Sequence, residues 1–350
     1  MDITVNPQLA TDAITDALYA NLVPYLIGSP GVGKSSIMQQ IAKNNKLKYV
    51  DIRLAQSDPT DLSGMPFVID SGKRMDFIPP SHFPLEGDDI PNGYEGWLIN
   101  FDEINSAPPA VQVAAYKVLL DREVGQHKIH ERVRMVAAGN LVTDRAVVNR
   151  LGTAMQSRLI HFQLEVSSDD WIDWALTHDI DLRVVSFIRF RPELLHKFDP
   201  NHTDVTFPTP RTWEFVSTQL KLKGWEKFGD KPHHLINIIG TIGQGAAIEF
   251  KAFLELFNEL PDPDMIIIDP VKSPVPSEPG SLYALTTLLQ HKINPSNCTN
   301  VITYIKRLPK EFQVLSVTDI MKHKPSLRSE LSMQKWMRES ASDIFGETDA

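Results

Sequence analysis

The sequence predicts an α/β fold: a largely parallel sheet covered by helices, then a helical domain and a helical C-terminal extension. Three observations carry this. Short β-rich runs alternate with helical periodicity through residues 1–165. A glycine-rich run, Gly28-Ser29-Pro30-Gly31-Val32-Gly33-Lys34-Ser35, stands between one such strand and one such helix. Beyond residue 165 strand signals become sparse while helical patterns continue.

The strands fall at Val23–Ile27, Tyr49–Leu54, Trp97–Phe101, Val133–Ala138 and Leu159–Leu164. Pro24 is tolerable because it lies near a strand's start. Between the strands, Ile37, Met38, Ile41 and Ala42 fall at helix spacing, as do Val111, Ala114, Ala115, Val118 and Leu119. Further on, Trp171, Ile172, Trp174, Ala175 and Leu176, then Val184, Val185, Phe187 and Ile188, suggest helices. Thr209 is placed to cap another helix, with Pro210 as its first residue and Trp213, Phe215, Val216 and Leu220 along it. Pro261, Pro263, Pro270, Pro274, Pro276 and Pro279 then crowd one stretch. Their fixed φ and missing donors read as a connector, with Met265–Ile268 as a short docking strand inside it. From Ser281 onward, Leu282, Leu285, Leu288 and Leu289 return to helical spacing. The organisation expected is a core over 1–165, a helical lid domain over 166–260, a connector over 261–280 and an extension over 281–350. Trp336 and Phe345, in the extension, receive no role.

A chain of 350 residues suggests about two domains. A hydrophobic share of 42% and a charged share of 23% exclude wholesale disorder. The net charge of −9 argues against nucleic-acid binding through bulk charge. The single cysteine, Cys298, excludes an internal disulfide and a multi-cysteine zinc site. The opening Met1-Asp2-Ile3-Thr4 has no basic region leading into an apolar stretch, and no apolar run approaches the ~20 residues of a bilayer span. A soluble cytoplasmic protein, not bound to a membrane, is expected.

The glycine-rich run matches G-x-x-x-x-G-K-[ST] in full. Glycines let a loop wrap tightly enough for its N–H groups to face phosphate oxygens, and the following helix adds its positive end. Lys34 can then reach β- and γ-phosphates, and the Ser35 hydroxyl can ligate Mg²⁺, with Ser36 next in the helix. The run Trp97-Leu98-Ile99-Asn100-Phe101 leads into Asp102 and Glu103, two acids at the end of a buried strand. One carboxylate suits the metal (Asp102), and its neighbour suits activation of the attacking water (Glu103). Asn140 ends another strand, where it could orient that water; read alone, a turn asparagine after Gly139 explains it equally well. Arg145, Arg150 and Arg158 follow, and Arg211 falls in the first turn of the helix that Thr209 starts. A fixed guanidinium near a γ-phosphate stabilises transition-state charge, and it can come from a neighbouring subunit.

In that order these residues resemble the motifs of an AAA+ ATPase, and more closely those of its MoxR-like branch. The resemblance spans about residues 20–220 and extends to Asp61-Leu62-Ser63-Gly64-Met65-Pro66, Ala138-Gly139-Asn140 and Ser157-Arg158. It implies a P-loop NTPase fold of AAA+ type, ATP and Mg²⁺ as cofactors, and hydrolysis to ADP and phosphate. Residue by residue it implies Walker A at Gly28–Ser35, Walker B at Asp102 and Glu103, and sensor 1 at Asn140. Arg158 would be the arginine finger acting in trans, with Arg150 the runner-up, and Arg211 would be sensor 2, serving its own nucleotide or a neighbour's.

The resemblance also implies two insertions that line a ring pore or meet a partner. In the first, Phe67–Ile69 and Arg74–Phe77 flank Ser71-Gly72 as hairpin strands would. The second lies around Val124–Val133, turns near Gly125, and carries Arg122, His127, Lys128, His130, Arg132 and Arg134. No third ligand joins His127 and His130 to make a metal site. A homo-hexameric ring that remodels a protein is therefore the leading expectation, with a von Willebrand A-domain protein as the partner type the resemblance suggests. A DNA-acting motor or helicase loader is the main rival, supported by the basic run and opposed by the overall charge. A small-molecule P-loop kinase and a nucleotide-gated scaffold fit less well, given three spaced arginines and an intact acid pair.

Overall fold

The computed structural model describes residues 4–144, 149, 151–199, 205–225, 228 and 231–340. The chain divides into two compact units: Met1–Asp170 with Phe198–Thr203, and Trp171–Lys197 with Asp204–Ala350.

The first unit is built on a six-stranded sheet. Its strands are β1 (Thr4–Val5), β2 (Val23–Ile27), β3 (Leu47–Arg53), β6 (Gly96–Asp102), β9 (Val133–Gly139) and β10 (Leu159–Leu164). They are ordered β1-β10-β2-β9-β6-β3, and every neighbouring pair is parallel. Helix α1 (Pro7–Tyr19) precedes β2, and α2 (Lys34–Asn44) crosses from β2 to β3. Asn6 caps α1 by accepting the Leu9 N–H at 2.8 Å, with Pro7 at the first position. The order also accommodates Pro24, which has no N–H to donate. It pairs with Ile160 of β10, whereas pairing with β9 starts only at Tyr25.

Strands β6 and β9 are buried along nearly their whole length, as parallel strands covered on both faces should be. Alternate residues feed two cores. Leu98 and Val136 pack with Leu26, Ile14 of α1, and Met38 and Ile41 of α2. Ile99, Phe101 and Met135 pack on the other face with Val111 and Ala115 of helix α4 (Pro109–Tyr116). Both predicted insertions are hairpins. After the short helix α3 (Thr60–Ser63), β4 (Met65–Ile69) and β5 (Arg74–Ile78) pair antiparallel, with Asp70, Ser71 and Gly72 turning at positive φ. Strands β7 (Glu123–Val124) and β8 (His127–Lys128) form the second hairpin, and His127 Nε2 lies 3.0 Å from Phe77 O of the first. Arg122 donates to His130 O and Val133 O, and Arg134 donates to Glu131 O, so these two guanidiniums are committed to backbone carbonyls. The short helix α5 (Thr153–Gln156) precedes β10.

The second unit is helical among its described residues. It contains α6 (Ser168–Thr177, whose first residues belong to the first unit), α7 (Leu182–Phe190), α8 (Pro210–Leu220), α9 (Pro232–Ile242), α10 (Gln244–Asn258), α11 (Pro263–Ile268), α12 (Pro279–Lys292), α13 (Cys298–Ile305), α14 (Lys310–His323) and α15 (Leu331–Glu339). One aromatic cluster joins Phe187, Trp213, Phe250 and Phe253, with Trp213 Nε1 donating to Leu194 O at 2.8 Å. A second core, running from Ile266 to Trp336, buries Tyr304 and Trp336 almost completely. Trp336 is thus a core residue, while Phe345 lies outside the described residues.

Met265–Ile268 is not a strand: it belongs to α11. Asp262 accepts the Asp264 N–H at 2.9 Å, Pro263 takes the first position and Ile266 is buried. Of the prolines that suggested a connector, Pro263 starts α11 and Pro279 starts α12, while Pro261, Pro270, Pro274 and Pro276 lie outside helices and strands. None of the helices described is long and apolar enough to cross a membrane.

Helix α8 carries a full capping box. Thr209 Oγ1 accepts the Thr212 N–H at 3.1 Å, and Thr212 Oγ1 accepts the Thr209 N–H at 2.7 Å. Thr209→Ala removes one half of it and should cost about 1 kcal/mol, whereas Thr209→Ser should cost far less. Urea unfolding followed by circular dichroism reads the difference between the two variants.

Candidate functional site

A parallel sheet carries all its strand C-termini to one edge, where ligands bind in α/β folds. Strands β2, β6 and β9 deliver Gly28, Asp102 and Asn140 there. The loop from Gly28 to Gly33 leaves β2, and its first N–H donates to Gly139 O at 3.2 Å, which fastens it to β9. Gly31 and Gly33 have φ of +76° and +95°, a region side-chain-bearing residues rarely adopt. A Cβ added at Gly33 would meet nothing within 4 Å, so the loop is open where a ligand would approach it. Helix α2 starts directly at Lys34, and its first-turn N–H groups and positive end face the loop.

Lys34 is buried, and its ammonium donates to Gly28 O at 2.7 Å, to Ser29 O at 3.0 Å and to Asn140 Oδ1 at 3.1 Å. Ser35 Oγ donates to Asp102 Oδ2 at 3.1 Å. A hydroxyl and a carboxylate held together form the hard oxygen donor set that suits Mg²⁺, so these residues fit the ion. The other Asp102 oxygen accepts the Glu103 N–H at 2.8 Å. Glu103 has φ +56°, a left-handed conformation that costs a non-glycine residue on the order of 1–2 kcal/mol. That turn ends β6 directly after Asp102.

Below the acids, Asn100 is fully buried, and its Nδ2 donates to Tyr49 Oη at 3.0 Å and to Asp51 Oδ1 at 2.8 Å. The register pairs Asn100 with Asp51 and Asp102 with Arg53. Burial, reinforced by Asp51, raises the Tyr49 phenol well above its ordinary value, so it stays a neutral donor. The lone asparagine in an apolar strand is thereby explained: it answers a polar pair on β3.

The sequence-predicted residues Lys34, Ser35, Asp102 and Asn140 meet at this edge, with Glu103 adjoining. Val32 is buried, Ser29 and Pro30 lie within the loop, and Ser36 is exposed in the first turn of α2. Arg158 is not part of this cluster. It is exposed at the start of β10 and donates to Ala154 O at 2.9 Å. Arg211 is exposed in the first turn of α8, in the second unit, where its charge opposes the burial that raises Glu214. Arg145 and Arg150 lie outside the described residues.

Sequence reasoning missed Asn105. Its Oδ1 accepts the Asn140 N–H at 3.0 Å, and its Nδ2 donates to Asn140 O at 2.7 Å. The available signal was an asparagine two positions beyond the acid pair. A cavity of about 570 Å³ opens beside it, lined by Tyr25, Asn105, Asn140, Thr143, Asn149 and His161 among others.

A strand, a glycine-rich loop, a helix opening on Lys34-Ser35 and an acid pair on a neighbouring strand together define the nucleotide-binding core of a P-loop NTPase. Within that class, residues 25–159 match the AAA domain, dynein-related subfamily. The match supports nucleotide binding, generally with Mg²⁺, and ATP hydrolysis as the activity. The parallel core followed by helices has the AAA+ architecture. No curated protein matches the sequence. A crystal structure from Cytophaga hutchinsonii, described only as that of a candidate ATPase, is 12% identical with a TM-score of 0.37, over 96% of this chain and 89% of that one. At that TM-score it carries no argument.

Lys34→Met should weaken ATP binding by about tenfold or more, since a hydrogen bond to a charged group contributes about 1.5–3 kcal/mol. Titration calorimetry on folded protein checks it, and unchanged affinity would remove Lys34 from the site.

Proposed function

We propose that the protein is a Mg²⁺-dependent ATPase of the MoxR-like branch that works in the cytoplasm as a homo-hexameric ring and remodels or activates a partner protein. The observation that carries the catalytic part is the meeting of Lys34, Ser35, Asp102 and Asn140 at one sheet edge. Loop amides and the start of α2 bind the triphosphate, and Lys34 exchanges its carbonyl partners for phosphate oxygens. Ser35 and Asp102 would hold Mg²⁺, which would supply positive charge to offset that of the phosphates. Glu103 takes the proton of the attacking water, and Asn140 orients that water. Arg158 of a neighbouring copy stabilises the charge that develops on the transferred group.

Two features support a ring acting on protein. The exposure of Arg158 suits service to another copy. The β4–β5 hairpin exposes Met65 and Ile78 on one face and Val68 and Met75 on the other, apolar side chains suited to a protein surface such as a von Willebrand A domain. The commitment of Arg122 and Arg134 to backbone carbonyls weakens the case for a DNA-acting motor.

Glu103→Gln should keep ATP binding and lose about 10²-fold or more in turnover, the usual contribution of a positioned base. Arg158→Ala should be similarly inactive. Mixed together, the two inactive proteins should recover part of the activity, because a site between unlike neighbours contains both an intact Glu103 and an intact Arg158. A mixture that demonstrably co-assembles yet stays inactive would rule out the trans finger. Binding without turnover in the wild-type protein would rule out the ATPase.

A further inference from the structure

We infer that Asn105 is a positioning residue for hydrolysis: its side-chain amide fixes the Asn140 backbone so that Asn140 faces Lys34, and it ties that placement to the Glu103 turn. This deepens the proposed ATPase reading and rests on it.

Asn140 lies one residue beyond the end of β9, and β2 pairs with β9 only as far as Ile27 and Gly139. The backbone N–H and C=O of Asn140 therefore have no neighbouring strand to bond. Asn105 takes the strand's place, with Oδ1 accepting from Asn140 N at 3.0 Å and Nδ2 donating to Asn140 O at 2.7 Å. The two bonds together fix which end of the amide is oxygen and which is nitrogen. Asn105 is almost fully buried, so water does not compete for the pair. Its own carbonyl accepts the Asn149 N–H at 2.6 Å, so one residue holds both ends of the segment from Asn140 to Asn149.

The clamp is short and stiff. Asn105 is two residues from Glu103, and Ser106 N donates to Glu103 O at 2.9 Å to close the turn between them. On the far side, Asn140 Oδ1 accepts from Lys34 at 3.1 Å. A chain of links thus runs from the Glu103 backbone turn, through Asn105 and Asn140, to the phosphate-binding lysine. Gly139 makes room for it: a Cβ there would lie 2.7 Å from Asn105 Oδ1 and closer still to the Tyr25 hydroxyl. Only a side chain that donates and accepts at one reach serves both bonds. An ionised aspartate offers no donor, and a glutamine is longer by one methylene.

The test uses the full-length protein and four forms: wild type, Asn105→Asp, Asn140→Ala and the double variant. Asn105→Asp should lower kcat about tenfold or more, in line with the cost of misplacing a reacting group by about an ångström. Its affinity for ATP, by calorimetry, should stay within about threefold, because the bonds of Asn105 itself go to Asn140 and Asn149 and not to the phosphate loop. In the Asn140→Ala background the same substitution should cost less than about twofold, since the side chain it positions is gone. A purely structural role predicts an equal loss in both backgrounds, and that result would overturn the inference. So would wild-type-like kcat in folded Asn105→Asp. If the aspartate variant fails to fold by circular dichroism, Asn105→Ser, neutral and too short for both bonds, gives the same readouts. No turnover by the wild-type protein would bring down the ATPase reading and this inference with it, whereas wild-type turnover that survives substitution of Asn105 overturns the inference alone.

Discussion

The candidate site depends on how a buried ammonium is solvated by protein. Lys34 has lost nearly all contact with water, and a charge in that position is tolerable only where oxygen atoms replace the lost hydration. Such oxygens include two of its own loop and one of Asn140, just beyond the end of β9. The cation therefore joins β2, α2 and β9 at their shared edge. It can do so because the sheet is parallel and because β9, not β3, lies beside β2. The chain passes from β2 through α2 to β3 at the far edge of the sheet, leaving a gap that β9 and β6 fill. Asp102 and Asn140 are brought beside the loop by that order.

The parts of the site that were legible in the sequence are those where a local backbone requirement selects the residue. Gly31 and Gly33 are needed for positive φ, and Lys34-Ser35 follow directly where the helix begins. Asp102 and Glu103 were legible because an apolar run ending in two acids sets charge where a buried strand reaches the ligand-binding edge of its sheet. Asn105 was not legible, because its partner is 35 residues away and is a backbone group, which has no side-chain identity to read. Asn100 was not legible for distance alone: its partners are the Tyr49 and Asp51 side chains, 51 and 49 residues away on β3. Polar residues that satisfy tertiary partners look like blemishes in a linear pattern.

The fold divides along similar lines. The five strand positions were readable from β-rich runs, and the start of α8 from Thr209-Pro210, since capping is a local exchange of hydrogen bonds. The segment after residue 260 was misread at Met265–Ile268. Three consecutive isoleucines favour a strand by propensity alone. The Asp262-Pro263 start, whose cap bond and fixed φ favour a helical first turn, outweighed them. Trp336 was unassignable for a different reason: its burial depends on Tyr304, Leu289 and other residues of the second unit gathering around it. The Arg189–Asp319 ion pair at 2.6 Å, nearly buried, joins two residues far apart in the chain and leaves no trace in local pattern.

The electrostatics of Arg158 bear on how the proposed activity would be controlled. Its guanidinium donates to the Ala154 carbonyl within the preceding turn and otherwise faces water. Two unit charges at about 4 Å interact by only about 1 kcal/mol in water, and several times more at the lower effective dielectric of a covered surface. An arginine in this position therefore contributes little to its own unit. It would become influential when a second copy covers it and brings a phosphate near. The residues gathered around Lys34, by contrast, are already bonded to one another within one chain. Binding would then be a property of the single chain and rapid hydrolysis a property of the assembly. On this division of labour, a client that alters the contact between copies would control turnover without touching the nucleotide.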